Sequence, residues 1–256
     1  MIRKLYGYEE SSDSQLDKIG SNCESNAARC SQIFPVQISS LNGNHSLMAQ
    51  IFIFGPMKAA SPQSPIEPLI AHFEGMLALT DDEKQLLASK FQSRLYRKRQ
   101  FVLQEGDVCD VFNFVVSGCL RMYKIDDAGT IHIIQFAIEN WWISDLGSFY
   151  SMKPSEMCIE AVEDTTVLQI KHGELLDLYE KSHKFDRLFR VLVERSLIGM
   201  QHRMLQNLSA DASVRYESFL KQYPDLANRI PNTFIASYLG ITPEFLSKIR
   251  NKRASG

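Results

Sequence analysis

Asn232-Thr-Phe-Ile-Ala-Ser-Tyr-Leu-Gly-Ile-Thr-Pro-Glu-Phe-Leu-Ser-Lys-Ile-Arg-Asn251 is the stretch that decides how the rest of the chain is read. Apolar residues fall at Ile235, Leu239, Ile241, Leu246 and Ile249, the inward-facing set that two steeply crossing helices need. Ala236 is small where the second helix presses closest, and Gly240 sits where a sharp turn wants positive φ. Thr242 suits an N-cap and Pro243 the first turn behind it. This order of features spells a helix-turn-helix. Its exposed side carries Thr242, Glu244, Ser247 and Lys248, with Arg250, Lys252 and Arg253 at or past the end. These seven are the candidate contacts to base edges and phosphates of double-stranded DNA. From residue 229 onward five cations face Glu244 alone, a local +4 on a chain of net charge −2. A basic patch on a near-neutral protein is what phosphate attraction requires.

The composition, 45% hydrophobic and 23% charged over 256 residues, fits a globular chain of two small domains. No apolar run approaches the roughly 18–20 residues of a membrane span. The longest, Leu47 to Met57, is broken by Gln50, Gly55 and Pro56. Arg3 and Lys4 have no apolar stretch behind them, so neither a secretory signal nor a membrane partner is expected. Five cysteines at irregular spacing argue for a reducing compartment, hence a cytoplasmic protein.

Residues 1–65 are rich in Ser and Asn and lack any sustained period, so a disordered leader is expected there. Met48 and Met57 leave open a natural start further along the chain. A helix follows over about 66–78, then Thr80-Asp-Asp-Glu83 reads as a capping box opening another. Between Arg94 and about Lys171 the period changes to short β-branched and aromatic strands, separated by turn chemistry such as Glu105-Gly-Asp107 and Ser117-Gly118. This spacing suggests a sandwich or jelly roll. From about Lys184 to Leu208, Phe189, Val193, Leu197, Met200 and Met204 recur at three and four residues, a stripe that predicts a long helix, packed either on its own β domain or on a second copy as a homodimer helix; the dimer is favoured because helix-turn-helix readers usually need two half-sites. A further helix over about 212–223 turns Phe219 and Leu220 inward.

The order jelly roll, long helix, helix-turn-helix resembles the Crp/Fnr family of bacterial transcription regulators, and especially its Bacteroidetes-type branch. The residues that carry the resemblance are Gln104-Glu-Gly-Asp107, Phe114-Val-Val-Ser-Gly118 with Leu120, Glu160-Ala-Val-Glu-Asp164, and Ile235 through Arg250. It implies an α+β fold: a cyclic-nucleotide-binding-like jelly roll with flanking helices over 66–182, a dimerisation helix over 183–208, and a DNA-binding head over 209–256. It implies double-stranded DNA and RNA polymerase as partners, and a cyclic nucleotide such as cyclic AMP as effector.

Two departures qualify that. In members that bind cyclic AMP, a Gly-Glu-Leu start and a following Arg hold the ribose and the cyclic phosphate. The matching stretch here is Ser144-Asp145-Leu146-Gly147, then Ser155-Glu156. Asp145 has a shorter reach than Glu, and Ser155 stands at the Arg position. No Arg lies between Arg121 and Arg187, Lys153 being the nearby cation. Loss of a charge-assisted contact, with repulsion from Glu156, makes cyclic-AMP binding expected to be weak or absent. The family's β-hairpin wing is also expected to be missing, its contacts falling to Lys252 and Arg253. Glu244 and Lys248 match base-contacting positions, and Pro243 replaces a family Arg, so a different operator is expected.

Other classes fit less well. A cupin enzyme needs a His-x-His metal set, and the β region holds only His132; no catalytic residue or metal ligand is assigned. A redox or iron–sulfur sensor would draw on Cys23, Cys30, Cys109, Cys119 and Cys158, but cluster spacings are tighter. A sensor module that has lost DNA binding is the remaining alternative. Trp141, Trp142, Phe149 and Met157 are candidate lining of an effector pocket.

Overall fold

The computed structural model describes residues 66–254; the expected leader, with Cys23 and Cys30, and the last two residues lie outside the described residues. Helix α1 (Glu67–Glu74) packs Leu69 and Phe73 inward. The Thr80 side chain accepts the Glu83 N–H while Glu83 accepts the Thr80 N–H at 2.8 Å, the capping box that starts α2 (Asp81–Lys90).

Eight strands follow among the described residues. They are β1 (Gln92–Tyr96), β2 (Phe101–Leu103), β3 (Val111–Ser117), β4 (Leu120–Ile125), β5 (Ile131–Ala137), β6 (Trp142–Ile143), β7 (Cys158–Ala161) and β8 (Thr165–Lys171), with the short helix α3 (Leu146–Ser151) after β6. They form two antiparallel four-stranded sheets, ordered β1-β8-β3-β6 and β2-β7-β4-β5. Gly118 makes the β3–β4 turn at φ 96°, and a Cβ there would lie 2.6 Å from the Asp164 carbonyl oxygen. No side chain fits that approach, which explains the glycine in Phe114-Val-Val-Ser-Gly118.

One apolar core joins the sheets through Phe114 and Val167 on one side and Leu120, Met122 and Ile159 on the other. Trp142 closes one end, with its ring against Phe73, Phe91, Phe112, Phe114 and Phe189. Helices α4 (His172–Lys181) and α5 (His183–Ser209) then leave the roll.

Helix α5 changes character along its length. Phe185, Leu188 and Phe189 are buried in the roll core. Phe189 therefore corrects the expected dimer stripe: its ring packs on Phe73, Phe112 and Tyr179 of its own chain. Val193 is half-buried. Beyond it Leu197, Met200 and Met204 are 55%, 50% and 65% exposed, joined by Ile198, Leu205 and Leu208. At ~100° per residue these six share one face. The opposite face carries Arg203 and Gln206, which bond to the body of the protein. The second half of α5 thus turns polar groups inward and apolar groups to solvent.

The chain continues through α6 (Ala212–Gln222), α7 (Leu226–Arg229), α8 (Asn232–Leu239) and α9 (Pro243–Ala254). These helices are packed on the outer face of sheet β2-β7-β4-β5. There Tyr123, Ile133 and Phe136 join Phe219, Tyr223 and Tyr238 in a second core.

Candidate nucleic-acid interface

Helices α8 and α9 make the helix-turn-helix geometry. Gly240 takes the left-handed conformation at φ 65°, and the Ile241 N–H reaches back to the Ala236 carbonyl at 3.0 Å. Thr242 Oγ1 accepts the Phe245 N–H at 3.2 Å, capping α9. Ile235, Ala236, Leu239 and Leu246 are buried between the helices, while Ile241 and Ile249 pack at the margin.

The predicted reading residues separate into two kinds. Thr242, Glu244, Ser247, Lys248, Lys252 and Arg253 are exposed, and among the described residues Lys248, Lys252 and Arg253 make no ion pair within the chain. Ser247 Oγ donates to the Pro243 carbonyl at 2.9 Å, which leaves its lone pairs to face outward. The Glu244 carboxyl is held below its ordinary value by its own backbone N–H and by Thr242. Arg250 is half-buried and its guanidinium donates to Asn232 Oδ1 at the start of α8, so it braces the two helices. Arg229, counted within the basic tail, is committed elsewhere. It bonds to Glu139 at 3.0 and 2.9 Å and pairs with Glu163, so the patch is narrower than its +4 suggests.

Phe245 was missed. It lies 49% exposed on this face, between capping Thr242 and Lys248. The signal is an aromatic residue interrupting an otherwise polar arc.

The head is fixed to the β roll by polar clamps that sequence did not mark. Arg203 Nη2 donates to the Ile133 and Tyr238 carbonyls, each at 3.0 Å, and Nη1 to that of Ile134. Its guanidinium lies 3.9 Å from the Tyr238 ring centroid. Ser237 Oγ accepts the Ile133 N–H at 3.1 Å and donates to the Ile131 carbonyl. Beneath Phe234, Arg121 pairs with Glu160 at 2.6 Å with both side chains nearly buried, and stacks 4.0 Å from the Phe234 ring centroid. Tyr123 Oη donates to the same Glu160 oxygen at 3.3 Å.

The expected effector cassette is brought together and is occupied by its own side chains. Asp145 Oδ1 accepts the N–H groups of Gly147 and Ser148 at 3.0 and 3.3 Å, capping α3. Its Oδ2 accepts the Ser155 hydroxyl at 2.7 Å. Ser144 is buried, donates to the Val111 carbonyl at 2.8 Å and lies 3.1 Å from Cys109 Sγ. Leu146 is half-buried and Gly147 exposed. Glu156 departs from expectation: it turns to solvent and pairs with Lys124 at 2.5 Å, so it does not face the cassette. The suggested aromatic pocket also divides. Trp142 and Phe149 belong to the roll core, whereas Trp141 stacks on Tyr223 of the head at 5.1 Å.

Cys109, Cys119 and Cys158 are buried free thiols, and burial raises Cys109 and Cys119 above the usual thiol range. Among the described residues, no three His, Cys, Asp or Glu side chains are placed to hold a metal. His132 lies at the surface, 2.8 Å from Asp126. No described helix is long and apolar enough to cross a membrane.

Residues 93–182 match the family described as cyclic nucleotide-binding domain. No curated protein sequence was found similar to the chain. Among solved structures it is similar to FixK2 from Bradyrhizobium japonicum, with TM-score 0.58 and 22% identity over 64% of this chain and 85% of that one. It is similar to CLP from Xanthomonas campestris, a c-di-GMP responsive global regulator, with TM-score 0.56 and 15% identity over 69% and 92%. A protein from Eubacterium rectale described as a transcriptional regulator of the Crp/Fnr family matches with TM-score 0.53 and 20% identity over 70% and 85%. Residues 93–182 are therefore similar to a cyclic nucleotide-binding domain, and the chain has the Crp/Fnr fold.

Proposed function

We propose that this protein is a sequence-specific DNA-binding transcription regulator that acts as a homodimer. The observation that carries the reading is the orientation of the head. Helix α8 is packed on the sheet while α9 presents Glu244, Lys248 and Lys252 to solvent, the disposition of a reading helix free to enter a major groove. In this reading Lys248 donates to guanine and Glu244 accepts from cytosine. Lys252 and Arg253 contact phosphates.

The inverted second half of α5 supports the dimer. Each large apolar side chain taken out of water contributes about 1.5–3 kcal/mol, and six per protomer weigh well against an association cost of about 4–15 kcal/mol. Two heads related by a two-fold axis then meet two half-sites. The boundaries of this assignment are a sensor over 66–182, a dimer helix over 183–208 and a head from 209 onward.

The sensor's effector is not ordinary cyclic AMP in this reading. Ser155 supplies no guanidinium, and its hydroxyl is already bonded to Asp145. Calorimetric titration with cyclic AMP is expected to give no heat.

A gel-shift assay with duplex from upstream of its own gene, at low salt, tests the main reading. Retardation that weakens steeply with salt is expected, and none at low salt sinks it. Lys248→Ala should cost about 1–3 kcal/mol on the preferred duplex and relax specificity there. Equal weakening on a random duplex would make Lys248 a phosphate contact.

A further inference from the structure

We infer that Phe245 is a specificity-determining residue that packs on the 5-methyl group of a thymine in each half-site. The inference rests on the DNA-binding reading and adds a base to it. Phe245 takes no part in the core between the two helices, which Ile235, Leu239 and Leu246 already fill. It is 49% exposed in the first turn of α9, the part of a reading helix that approaches base edges. Counting ~100° per residue, its side chain lies beside those of Lys248 and Lys252, on the same outward arc as Glu244. Its backbone N–H is held by Thr242 Oγ1 at 3.2 Å, which fixes the main chain that carries the ring.

An exposed aromatic ring with two lysines to one side of it calls for a partner that is apolar at one point and anionic next to it. A second protein surface would satisfy the ring but has no general reason to satisfy the lysines. The major groove satisfies both. Phosphates line its rim, and thymine methyl is its one apolar group. An intercalating wedge would need the ring to enter from the narrow minor groove, where a helix does not fit.

The test begins with selection of duplexes from a random-sequence pool by the full-length protein. The enriched duplex is then remade with uracil replacing thymine at one position at a time, which removes only the methyl. Wild-type protein is expected to lose about fourfold in affinity at one position per half-site, the worth of one buried methyl. Phe245→Ala should bind the thymine duplex as weakly as wild type binds the uracil one and be insensitive to the swap. Phe245→Leu should keep part of the sensitivity. An enriched sequence with no methyl-dependent position, or a Phe245→Ala protein still sensitive to the swap, overturns the inference and leaves DNA binding standing. A change of oligomeric state in Phe245→Ala would instead place the ring at a protein contact and also overturn it. Failure to enrich any duplex removes the DNA-binding reading and the inference with it.

Discussion

The two faces of sheet β2-β7-β4-β5 are built by the same strands to different rules. Toward the roll, Leu120, Met122, Ile159 and Ala161 form a surface without a charge. Toward the head, Arg121, Tyr123, Cys158 and Glu160 alternate with them, and every one is buried as well. The inner face is held by close packing, which is non-directional and tolerates any filling of the right volume. The outer face combines aromatic rings with directional bonds from Arg121, Arg203, Arg229 and Ser237. Such bonds select one pose among many that apolar contact alone would accept. The contrast suggests that the roll is specified by volume and the seat of the head by polar geometry.

The largest effect expected on this contrast comes from Arg121→Ala. It leaves Glu160 buried without its cation, and the cost of breaking such a pair is about 3–5 kcal/mol. Replacing both partners, as in Arg121→Met with Glu160→Leu, should restore most of the stability in urea unfolding. If the double variant remained as unstable as the single one, the outer face would need its charges for stability itself. On the inner face Met122→Ala should cost about 2–5 kcal/mol, with no second substitution of a neighbour able to rescue it by removing a charge.

How far the sequence reveals each face follows from the same difference. Strands β3, β4 and β5 were legible because apolar and turn residues punctuate them. Strand β7 was not, since Cys158, Ile159, Glu160 and Ala161 are buried on both sides and show no alternation. The helix-turn-helix was legible to the residue, because Gly240, Thr242 and Pro243 are local chemistry. The docking of the head was not: Arg203 meets Ile133 and Ser237 meets Ile131 across about 70 and 106 residues, and nothing local marks such a contact. Phe189 illustrates the limit of periodicity. It keeps the spacing of Leu197 and Met204, yet the helix enters the roll at that turn and the stripe changes partner. At Ser155 the sequence shows a side chain without a guanidinium, whereas its bond to Asp145 joins residues ten apart and is marked by nothing local.

A smaller effect would separate seat from roll. Arg203→Ala removes charge-assisted bonds to three carbonyls and the stack on Tyr238, worth about 1.5–3 kcal/mol in the seating of the head. Limited proteolysis should then cut faster near Ala210, where α5 ends, while the inner core keeps its protection from hydrogen exchange. Arg203→Lys should rescue little, since an ammonium cannot fork to carbonyls on two elements. Loss of protection in both regions at once would mean that head and roll unfold as one unit.

Acid should reach the two regions in order. His72, beside Trp142 and Phe114 at the end of the roll core, is lowered to about 4 from 6.5, by burial first and by Arg195 second. Folded and unfolded chains both hold it neutral above pH 6.5. Below that the unfolded chain takes up a proton the folded one refuses, so stability falls with pH until about 4. The loss is about 2 kcal/mol by pH 5. The outer face keeps its contribution over most of that range. Burial alone would raise the Glu139 carboxyl, but its bonds to Arg229 outweigh burial and hold it below its ordinary value. Its contribution is therefore present above the unfolded value near 4.5 and is lost as pH falls through the lower folded value. Urea midpoints measured from pH 7.5 to 5 should drop for wild type and stay nearly level for His72→Phe. Arg229→Gln should be least stable near neutral pH and regain part of the loss as pH falls toward about 4.5, because burial without the guanidinium raises the folded Glu139 carboxyl. If His72→Phe followed wild type down to pH 5, the acid sensitivity would lie outside the roll core, and the division of the sheet into a packed face and a bonded one would lose its pH signature.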